Sequence, residues 1–236
     1  MILTRSREDI EKDRRLFENL GFEVVPLPLI ETVPLNFQLP EGNFAFVIFQ
    51  SAKAVRYFLR GAKMPSAAKI VAVGKKTEKA LKERGYRADI IPEEYSAEGI
   101  VKALPEGRGE AILIPRAQEG RREAIEGLER KGYRVLALNV YRTVEVRYDP
   151  PLIEELLRPG GFIVFASPSA VRSLFANLQK DRASLILRDL VVVAVGKTTR
   201  GELERWGVEV DLMPAKPLME EVAGKIHSYW QENCRR

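Results

Sequence analysis

Four short segments of the sequence combine residue types that bind carboxylates or phosphates. Each follows a run of apolar residues and precedes a helical pattern, so each is predicted to open a helix. The first N–H groups of a helix have no intrahelical partner and carry the positive end of the helix dipole, which attracts anions. The four segments are Ser51-Ala52-Lys53, Gly74-Lys75-Lys76-Thr77, Ser167-Pro168-Ser169 and Gly196-Lys197-Thr198-Thr199.

For any one of these turns, a purely structural role is the alternative, because Ser and Thr often cap helices. The same residue types recur at four turns, however, which favours a shared anion-binding cleft. In an open parallel sheet such turns all lie at the carboxyl ends of the strands, where ligands bind.

Nucleotide hydrolysis is not predicted. Gly196-Lys197-Thr198 resembles the end of a phosphate-binding loop, but that motif needs a glycine five positions before the Gly-Lys pair, and Val191 stands there. The G-x-G-x-x-G fingerprint of dinucleotide-binding proteins is also absent from the sequence.

Cys234 is the only cysteine and His227 the only histidine, which excludes an internal disulfide and a multi-cysteine metal site. A Ser-His-Asp triad would depend on His227, which is predicted to be a packing or surface residue of the last helix. We therefore expect no metal and no organic cofactor.

The elements that must position the four turns follow from the apolar pattern. Strands apolar on both faces, as in buried parallel sheets, are predicted at residues 45–49, 70–73, 111–114, 162–165 and 191–195. Amphipathic helices lie between them, for example at 121–131 and 218–230. This alternation predicts an α/β fold with parallel sheets covered by helices on both faces.

The sequence is also internally duplicated. Residues 46–55 recur as 162–171, residues 70–77 as 192–199, and residues 5–32 as 116–143. Three blocks in the same order with small length differences indicate two similar domains. The length of 236 residues suits two domains, each of ordinary size.

Composition and charge limit the classes of molecule that the protein is expected to bind. No apolar run approaches the ~18 residues of a membrane span, and no signal peptide is recognisable, so a soluble cytoplasmic protein is expected. The net charge of +5 suits an anionic small molecule. Nucleic-acid binding is not predicted, because a basic tail and aromatic–basic interleaving are missing.

A series of short segments recurs in a characteristic order along the whole chain. These segments are Leu3-Thr4-Arg5, Pro28-Leu29-Ile30, Phe49-Gln50-Ser51-Ala52-Lys53-Ala54-Val55, Ala72-Val73-Gly74, Thr77, Leu138-Asn139-Val140-Tyr141-Arg142-Thr143, Phe165-Ala166-Ser167-Pro168-Ser169-Ala170-Val171 and Ala194-Val195-Gly196-Lys197-Thr198-Thr199. Their order and spacing resemble the uroporphyrinogen-III synthase family. The departures from the family pattern are Gln50, where Thr is frequent, and Lys53, where Arg or Asn is common.

The resemblance implies two similar flavodoxin-like parallel-sheet domains joined by a two-stranded linker. One domain is discontinuous, at 1–32 plus 148–236, and the other is inserted at 38–140, with linkers near 33–37 and 141–147. The working site is then a cleft between the domains. The protein is expected to be a monomer in heme and tetrapyrrole biosynthesis, with transient contact to hydroxymethylbilane synthase.

The activity implied is that of a lyase that cyclises hydroxymethylbilane, a linear tetrapyrrole with eight carboxylates, to uroporphyrinogen III. Tyr141 carries over as the proton donor for the departing hydroxyl. The substrate-binding residues expected are Ser51, Lys53, Gly74, Thr77, Arg116, Ser167, Ser169, Gly196, Lys197, Thr198 and Thr199. A non-catalytic two-lobed binding or sensor protein for a polyanionic small molecule is the alternative.

Overall fold

The computed structural model describes residues 1–233, so Cys234 lies outside the described residues. The chain forms two compact units. The first unit comprises Met1–Thr32 and Val144–Arg236, and the second unit comprises Val33–Thr143. The linkers expected near 33–37 and 141–147 stay a prediction.

The strands are β1 Ile2–Leu3, β2 Val25–Pro26, β3 Ile30–Pro34, β4 Phe44–Phe49, β5 Lys69–Ala72, β6 Ala111–Ala117, β7 Arg134–Glu145, β8 Gly161–Phe165 and β9 Leu190–Ala194. The helices are α1 Arg7–Glu18, α2 Ala52–Gly61, α3 Lys75–Lys82, α4 Ala97–Ala103, α5 Glu123–Arg130, α6 Pro150–Leu157, α7 Pro168–Asn177, α8 Lys180–Leu187, α9 Lys197–Arg205 and α10 Met219–Asn233. No helix within residues 1–233 is long and apolar enough to span a membrane.

Each unit is built on a sheet whose strands are parallel, apart from the edge strand β3 in the sheet of the second unit. In the first unit the strand order is β2-β1-β8-β9, and in the second it is β3-β7-β6-β4-β5. Taking β6, β7, β4 and β5 as strands one to four gives both sheets the order 2-1-3-4. This is the start of the 2-1-3-4-5 order of flavodoxin-like folds, so the fold class predicted from the sequence is confirmed.

The strands β3 and β7 are hydrogen-bonded neighbours that run in opposite directions. The N–H of Leu35 donates to the carbonyl of Val140 at 3.0 Å, and the N–H of Val146 donates to the carbonyl of Leu29 at 3.0 Å. The two segments are therefore paired in an antiparallel arrangement. The chain leaves the first unit within β3 and returns to it within β7.

The repeated sequence blocks form equivalent hydrogen bonds. Asp89 Oδ2 accepts from the N–H of Ile70 at 2.7 Å, and Asp211 Oδ2 accepts from the N–H of Val192 at 2.6 Å. Beyond each of these aspartates a single residue extends the sheet through an isolated parallel bridge, Val71 to Ile90 in one unit and Val193 to Leu212 in the other. The two copies therefore share local structure down to individual hydrogen bonds.

Helices bury apolar residues on both faces of each sheet. In the second unit, Val55 and Phe58 of α2 belong to the core on one face, and Leu128 of α5 belongs to the core on the other. In the first unit α7 and α9 cover one face, while α1 and α10 cover the other. The layered arrangement predicted from strand–helix alternation is thus present in each unit.

The predicted strands end one residue late in two cases. Val73 and Val195 were assigned to strands, but β5 ends at Ala72 and β9 at Ala194. The N–H of Val73 still donates to the carbonyl of Phe49 at 2.9 Å, and that of Val195 to the carbonyl of Phe165 at 3.0 Å. The apolar residues thus extend as far as the backbone hydrogen bonds between neighbouring strands, and these bonds continue for one residue beyond the end of each strand.

Candidate functional site

The turns after β4 and β8 have the same geometry. Ser51 and Ser167 are the N-cap residues of α2 and α7, both with extended backbones. The Ser51 Oγ accepts from the N–H of Ala54 at 3.1 Å, and the Ser167 Oγ accepts from the N–H of Ala170 at 3.3 Å. Each hydroxyl proton stays available as a donor, since a serine hydroxyl both donates and accepts.

The turns after β5 and β9 are capped by glycine. Gly74 and Gly196 are the N-cap residues of α3 and α9. Gly74 has φ +95°, and a Cβ there would lie 3.2 Å from the Cδ2 of Tyr95. Gly196 has φ −155°, and its nearest neighbour would be the Cβ of Pro217 at 3.8 Å. The second unit therefore needs glycine at this turn, whereas the first unit has room for a side chain.

Helix capping, the structural alternative to a binding role, does not apply to Thr77 and Thr199, which lie inside the first helical turn. Thr77 and Thr199 are each only 2% exposed. The Thr77 Oγ1 donates back to the carbonyl of Val73 at 3.3 Å. Within residues 1–233 the structure gives the Thr199 hydroxyl no hydrogen-bond partner. The capping interpretation was therefore wrong for both threonines, because a glycine occupies the N-cap position of each helix.

The turns lie next to each other within each unit. Strands β4 and β5 are paired in parallel, as are β8 and β9. Their carboxyl ends therefore meet at one edge of the respective sheet, and two helix N-termini open side by side there. Lys197 and Thr198 are exposed at this edge, while Lys53 and Ser169 are half-buried.

Tyr141 lies in β7 at the carboxyl end of the neighbouring strand β6. It pairs with Ala117, and its carbonyl accepts from the N–H of Gln118 at 2.9 Å. Its half-buried ring stacks on Tyr57 of α2, with ring centroids 4.9 Å apart and planes inclined by 19°. Both the backbone and the ring of Tyr141 are thus held by the second unit.

Arg116 does not extend toward solvent. It is 8% exposed, its Nε donates to the carbonyl of Ala117 at 3.1 Å, and its Nη2 donates to the carbonyl of Gly120. Burial lowers the pKa of the Arg116 guanidinium from its ordinary value, and the nearby charge of Arg122 lowers that pKa further. Through these contacts Arg116 holds the loop after β6. Its expected contact with a substrate carboxylate stays a prediction.

Sequence reasoning missed Arg172, whose guanidinium reaches the turn after β8. Its Nη2 donates to the Oγ of Ser169 at 3.3 Å, and its Nη1 lies 3.5 Å from the buried carboxylate of Glu202. The side chain is 48% exposed, so a positive charge is presented beside the turn. The repeat held a signal for this residue, because Arg56 occupies the equivalent place in the other copy.

The remaining ionisable groups suggest no metal centre. Among residues 1–233, no group of three or more His, Cys, Asp and Glu side chains is arranged to hold a metal ion. His227 lies in α10, where its Nε2 is 2.7 Å from Nε2 of Gln231 and its ring packs near Phe22. It is a packing residue, as predicted from the sequence.

Comparison with known proteins agrees with this architecture. The family model described as uroporphyrinogen-III synthase HemD matches residues 11–223. Uroporphyrinogen-III synthase of Synechococcus elongatus is 31% identical over 202 residues, covering 76% of this chain and 75% of that protein. The uroporphyrinogen-III synthase of Chlorobaculum parvum is 26% identical over 229 residues, covering 91% of this chain and 92% of that protein.

A solved structure shares the fold. The crystal structure of uroporphyrinogen-III synthetase from Helicobacter pylori superposes with a TM-score of 0.64 at 18% identity, covering 89% of this chain and 92% of that chain. The solved structure shows the same fold, and the family assignment rests on the sequence matches. The chain belongs to the uroporphyrinogen-III synthase family, whose members are enzymes of porphyrin biosynthesis that act on a small molecule.

Proposed function

We propose that the chain converts hydroxymethylbilane to uroporphyrinogen III with inversion of ring D and loss of water, and is therefore a hydro-lyase. Family membership supports this activity. The observation that carries the proposal is the pair of helix N-termini at the carboxyl edge of each sheet, since the substrate has eight carboxylates to be oriented. Helix N-termini bind such groups through backbone N–H donors and the helix dipole.

The turns divide the carboxylates between the two units. In the second unit, Ser51, Lys53, Gly74 and Thr77 are the proposed contacts. In the first unit the proposed contacts are Ser167, Ser169, Gly196, Lys197, Thr198 and Thr199. Opposite charges about 4 Å apart near a protein surface attract by roughly 4 kcal/mol before desolvation, so a few such contacts are enough to orient the substrate.

The capping serines suit this task. The Oγ of Ser51 and of Ser167 already accepts a hydrogen bond from its own helix. The proton of each hydroxyl is then directed away from the helix N–H and can be donated to a carboxylate. Arg116 stays a proposed substrate contact, with two of its five N–H donors used by carbonyls of the loop after β6.

The reaction begins when the hydroxyl leaves the methylene of ring A. A proton from the Tyr141 phenol converts that hydroxyl to water, and ring A becomes an azafulvenium cation. The substituted α-carbon of ring D attacks the methylene and forms a spiro intermediate. The bond from ring D to the ring C methylene breaks, and the other α-carbon of ring D joins that methylene. Loss of a proton restores the pyrrole and balances the proton given by Tyr141.

Tyr141 suits the role of proton donor because a phenol remains protonated at neutral pH, having an ordinary pKa of about 10. The protein's main contribution is to hold the ring D end so that its substituted carbon reacts first. The bilane closes without enzyme to the isomer in which ring D is not inverted. Selectivity for isomer III is therefore catalysis by positioning.

The direct test is incubation with hydroxymethylbilane generated in the same vessel by hydroxymethylbilane synthase. The products are oxidised and isomers I and III are separated by chromatography. The proposal predicts mainly isomer III, and unchanged proportions of the two isomers with and without the protein would contradict it. That result would favour the alternative, a non-catalytic two-lobed binding or sensor protein for a polyanion.

Three expectations go beyond this reaction and stay predictions. They are the monomeric state, the cytoplasmic location and the transient contact with hydroxymethylbilane synthase. Sedimentation of the protein alone and with hydroxymethylbilane synthase tests the first and the last of these.

A further inference from the structure

The phenol ring of Tyr141 lies against a second tyrosine that the reaction itself does not require. The centroids of the Tyr57 and Tyr141 rings are 4.9 Å apart at an angle of 19°, which is an offset-stacked arrangement. The guanidinium carbon of Arg60, on the same helix as Tyr57, lies 5.4 Å from the centroid of the Tyr57 ring. This is within the distance of a cation–π interaction, which holds Tyr57 in place.

The backbone of Tyr141 is fixed by other contacts. Its carbonyl accepts from the N–H of Gln118 at 2.9 Å, and two residues further on the N–H of Thr143 donates to Glu119 Oε1 at 2.8 Å. These contacts act on the backbone of Tyr141, and the direction of its ring depends on contacts of the side chain. In strands two χ1 rotamers are common, so neighbouring side chains select between them. Tyr57 is a neighbour that stacks on this ring.

The repeat shows that the helix does not need an aromatic residue at this place. The residue equivalent to Tyr57 in the first unit is Ser173 of α7. Ser173 is fully buried, and its hydroxyl donates to the carbonyl of Val146 at 3.5 Å. In the first unit, α7 therefore contacts the segment that contains Val146 through a small hydroxyl side chain. The tyrosine at position 57 is matched to Tyr141 and is not a requirement of the repeated fold.

We propose that Tyr57 is a positioning residue, whose ring face directs the Tyr141 hydroxyl toward the departing hydroxyl of hydroxymethylbilane. The inference rests on the proposed function and on the role proposed there for Tyr141. Stacking uses the ring of Tyr57 and not its hydroxyl, so phenylalanine can replace it. A proton donor displaced by about 1 Å costs up to roughly a hundredfold in rate.

The test compares Tyr57→Leu with Tyr57→Phe in the isomer assay. Tyr57→Leu is expected to lower kcat at least about tenfold while changing KM by less than about twofold, since stacking acts on a step after binding. Tyr57→Phe should keep kcat within about twofold of the parent. The matched control is Tyr86→Leu, which removes another half-buried tyrosine from the same apolar core, beyond the end of α3, and should leave kcat unchanged.

A double-mutant cycle shows whether Tyr57 acts through Tyr141. In the Tyr141→Phe background, Tyr57→Leu should have little further effect on kcat, because the proton donor is already absent. Equal losses for Tyr57→Phe and Tyr57→Leu would overturn the proposal, since the hydroxyl would then matter. A Tyr57→Leu enzyme with the kcat of the parent would also overturn it.

A substitute variant and a comparison with the parent protein distinguish failure of the positioning proposal from misfolding and from failure of the proposed function. If Tyr57→Leu melts below the assay temperature, Tyr57→Ser, which introduces the residue of the other repeat, takes its place with the same expected results. If the parent protein forms no isomer III, the proposed function fails. If the parent forms isomer III and Tyr141→Phe slows it while Tyr57→Leu does not, only the positioning proposal fails.

Discussion

The side-chain oxygen of Asn177 accepts a hydrogen bond from the backbone N–H of Tyr148 at 2.8 Å. The nitrogen of the same amide donates to the carbonyl of Val146 at 2.8 Å. Asn177 is 9% exposed, so both bonds are shielded from water. One side chain at the end of α7 thus satisfies a backbone donor and a backbone acceptor in the segment that follows β7.

We expect Asn177→Ala to lower the free energy of unfolding by about 1 to 3 kcal/mol, because the partly buried N–H of Tyr148 loses its acceptor and the carbonyl of Val146 keeps only the Ser173 hydroxyl as a donor. Urea denaturation followed by circular dichroism measures this loss. Asn43→Ala, at an exposed position, is the control and should change the free energy of unfolding little. Equal midpoints for both variants would show that the Asn177 bonds add nothing to stability.

Stability should also fall at alkaline pH through Tyr148. Its hydroxyl donates to the carbonyl of Pro28 at 3.0 Å, and burial raises the pKa of this phenol, with Glu31 adding to the effect and Arg7 opposing it. Because the pKa of Tyr148 is higher in the folded state, its contribution to the free energy of unfolding is fully present below the unfolded-state pKa of about 10. That contribution is lost as the pH rises from there through the folded-state pKa.

The change that tests this is Tyr148→Phe. The variant should be less stable than the parent at pH 8, because a hydrogen bond worth about 1 kcal/mol is lost. Its stability should fall less steeply between pH 9 and 11, because one titrating phenol is gone. Tyr95→Phe, at a side chain that is 57% exposed, is the control. Parallel pH profiles for parent and Tyr148→Phe would contradict the account.

Thr199→Ala should lower activity more than stability. The side chain is 2% exposed and its hydroxyl donates to no protein group within residues 1–233, so its loss should cost only about 1 kcal/mol of unfolding free energy, the order of a lost methyl group. We expect kcat/KM to fall at least about tenfold. Thr199→Ser keeps the hydroxyl and should retain activity. If Thr199→Ala turns over like the parent, this threonine does not contact the substrate.

Tyr141→Phe should slow the reaction by about a hundredfold, at the low end of the usual range for general acid catalysis, because the hydroxymethylpyrrole ionises readily by itself. The residual product should still be mainly isomer III, since the positioning contacts remain. Tyr141→Ala also removes the ring that stacks on Tyr57 and should lower the melting temperature in addition. A Tyr141→Phe enzyme with undiminished turnover would remove Tyr141 from the mechanism.

The turns could be predicted from sequence because their signals are local. An apolar run that ends at Ser51 or Gly74 and is followed by a helical pattern predicts the helix start and, to within one residue, the strand end. The repeat then identified Ser167 and Gly196 as equivalent turns, and the hydrogen bonds of both copies agree with that pairing.

The stacking of Tyr57 on Tyr141 could not be predicted, because the two residues are distant in sequence and periodicity does not say which side chains meet across a strand. The contacts of Arg116 could not be predicted for a similar reason. Its clamp on a substrate carboxylate stays a prediction, while the carbonyls of Ala117 and Gly120 accept two of its hydrogen bonds. Polar groups of a loop compete with ligands for a buried guanidinium, and the sequence does not show which of them is within reach.

The most direct measurement of the central claim is the ratio of isomers III and I formed by the protein after exhaustive dialysis against a chelator, with no metal, nucleotide or organic cofactor added. Hydroxymethylbilane is supplied by its synthase, and the products are separated after oxidation. The account predicts mainly isomer III at an undiminished rate. Formation of isomer I alone, or a rate that returns only when a metal is restored, would contradict it.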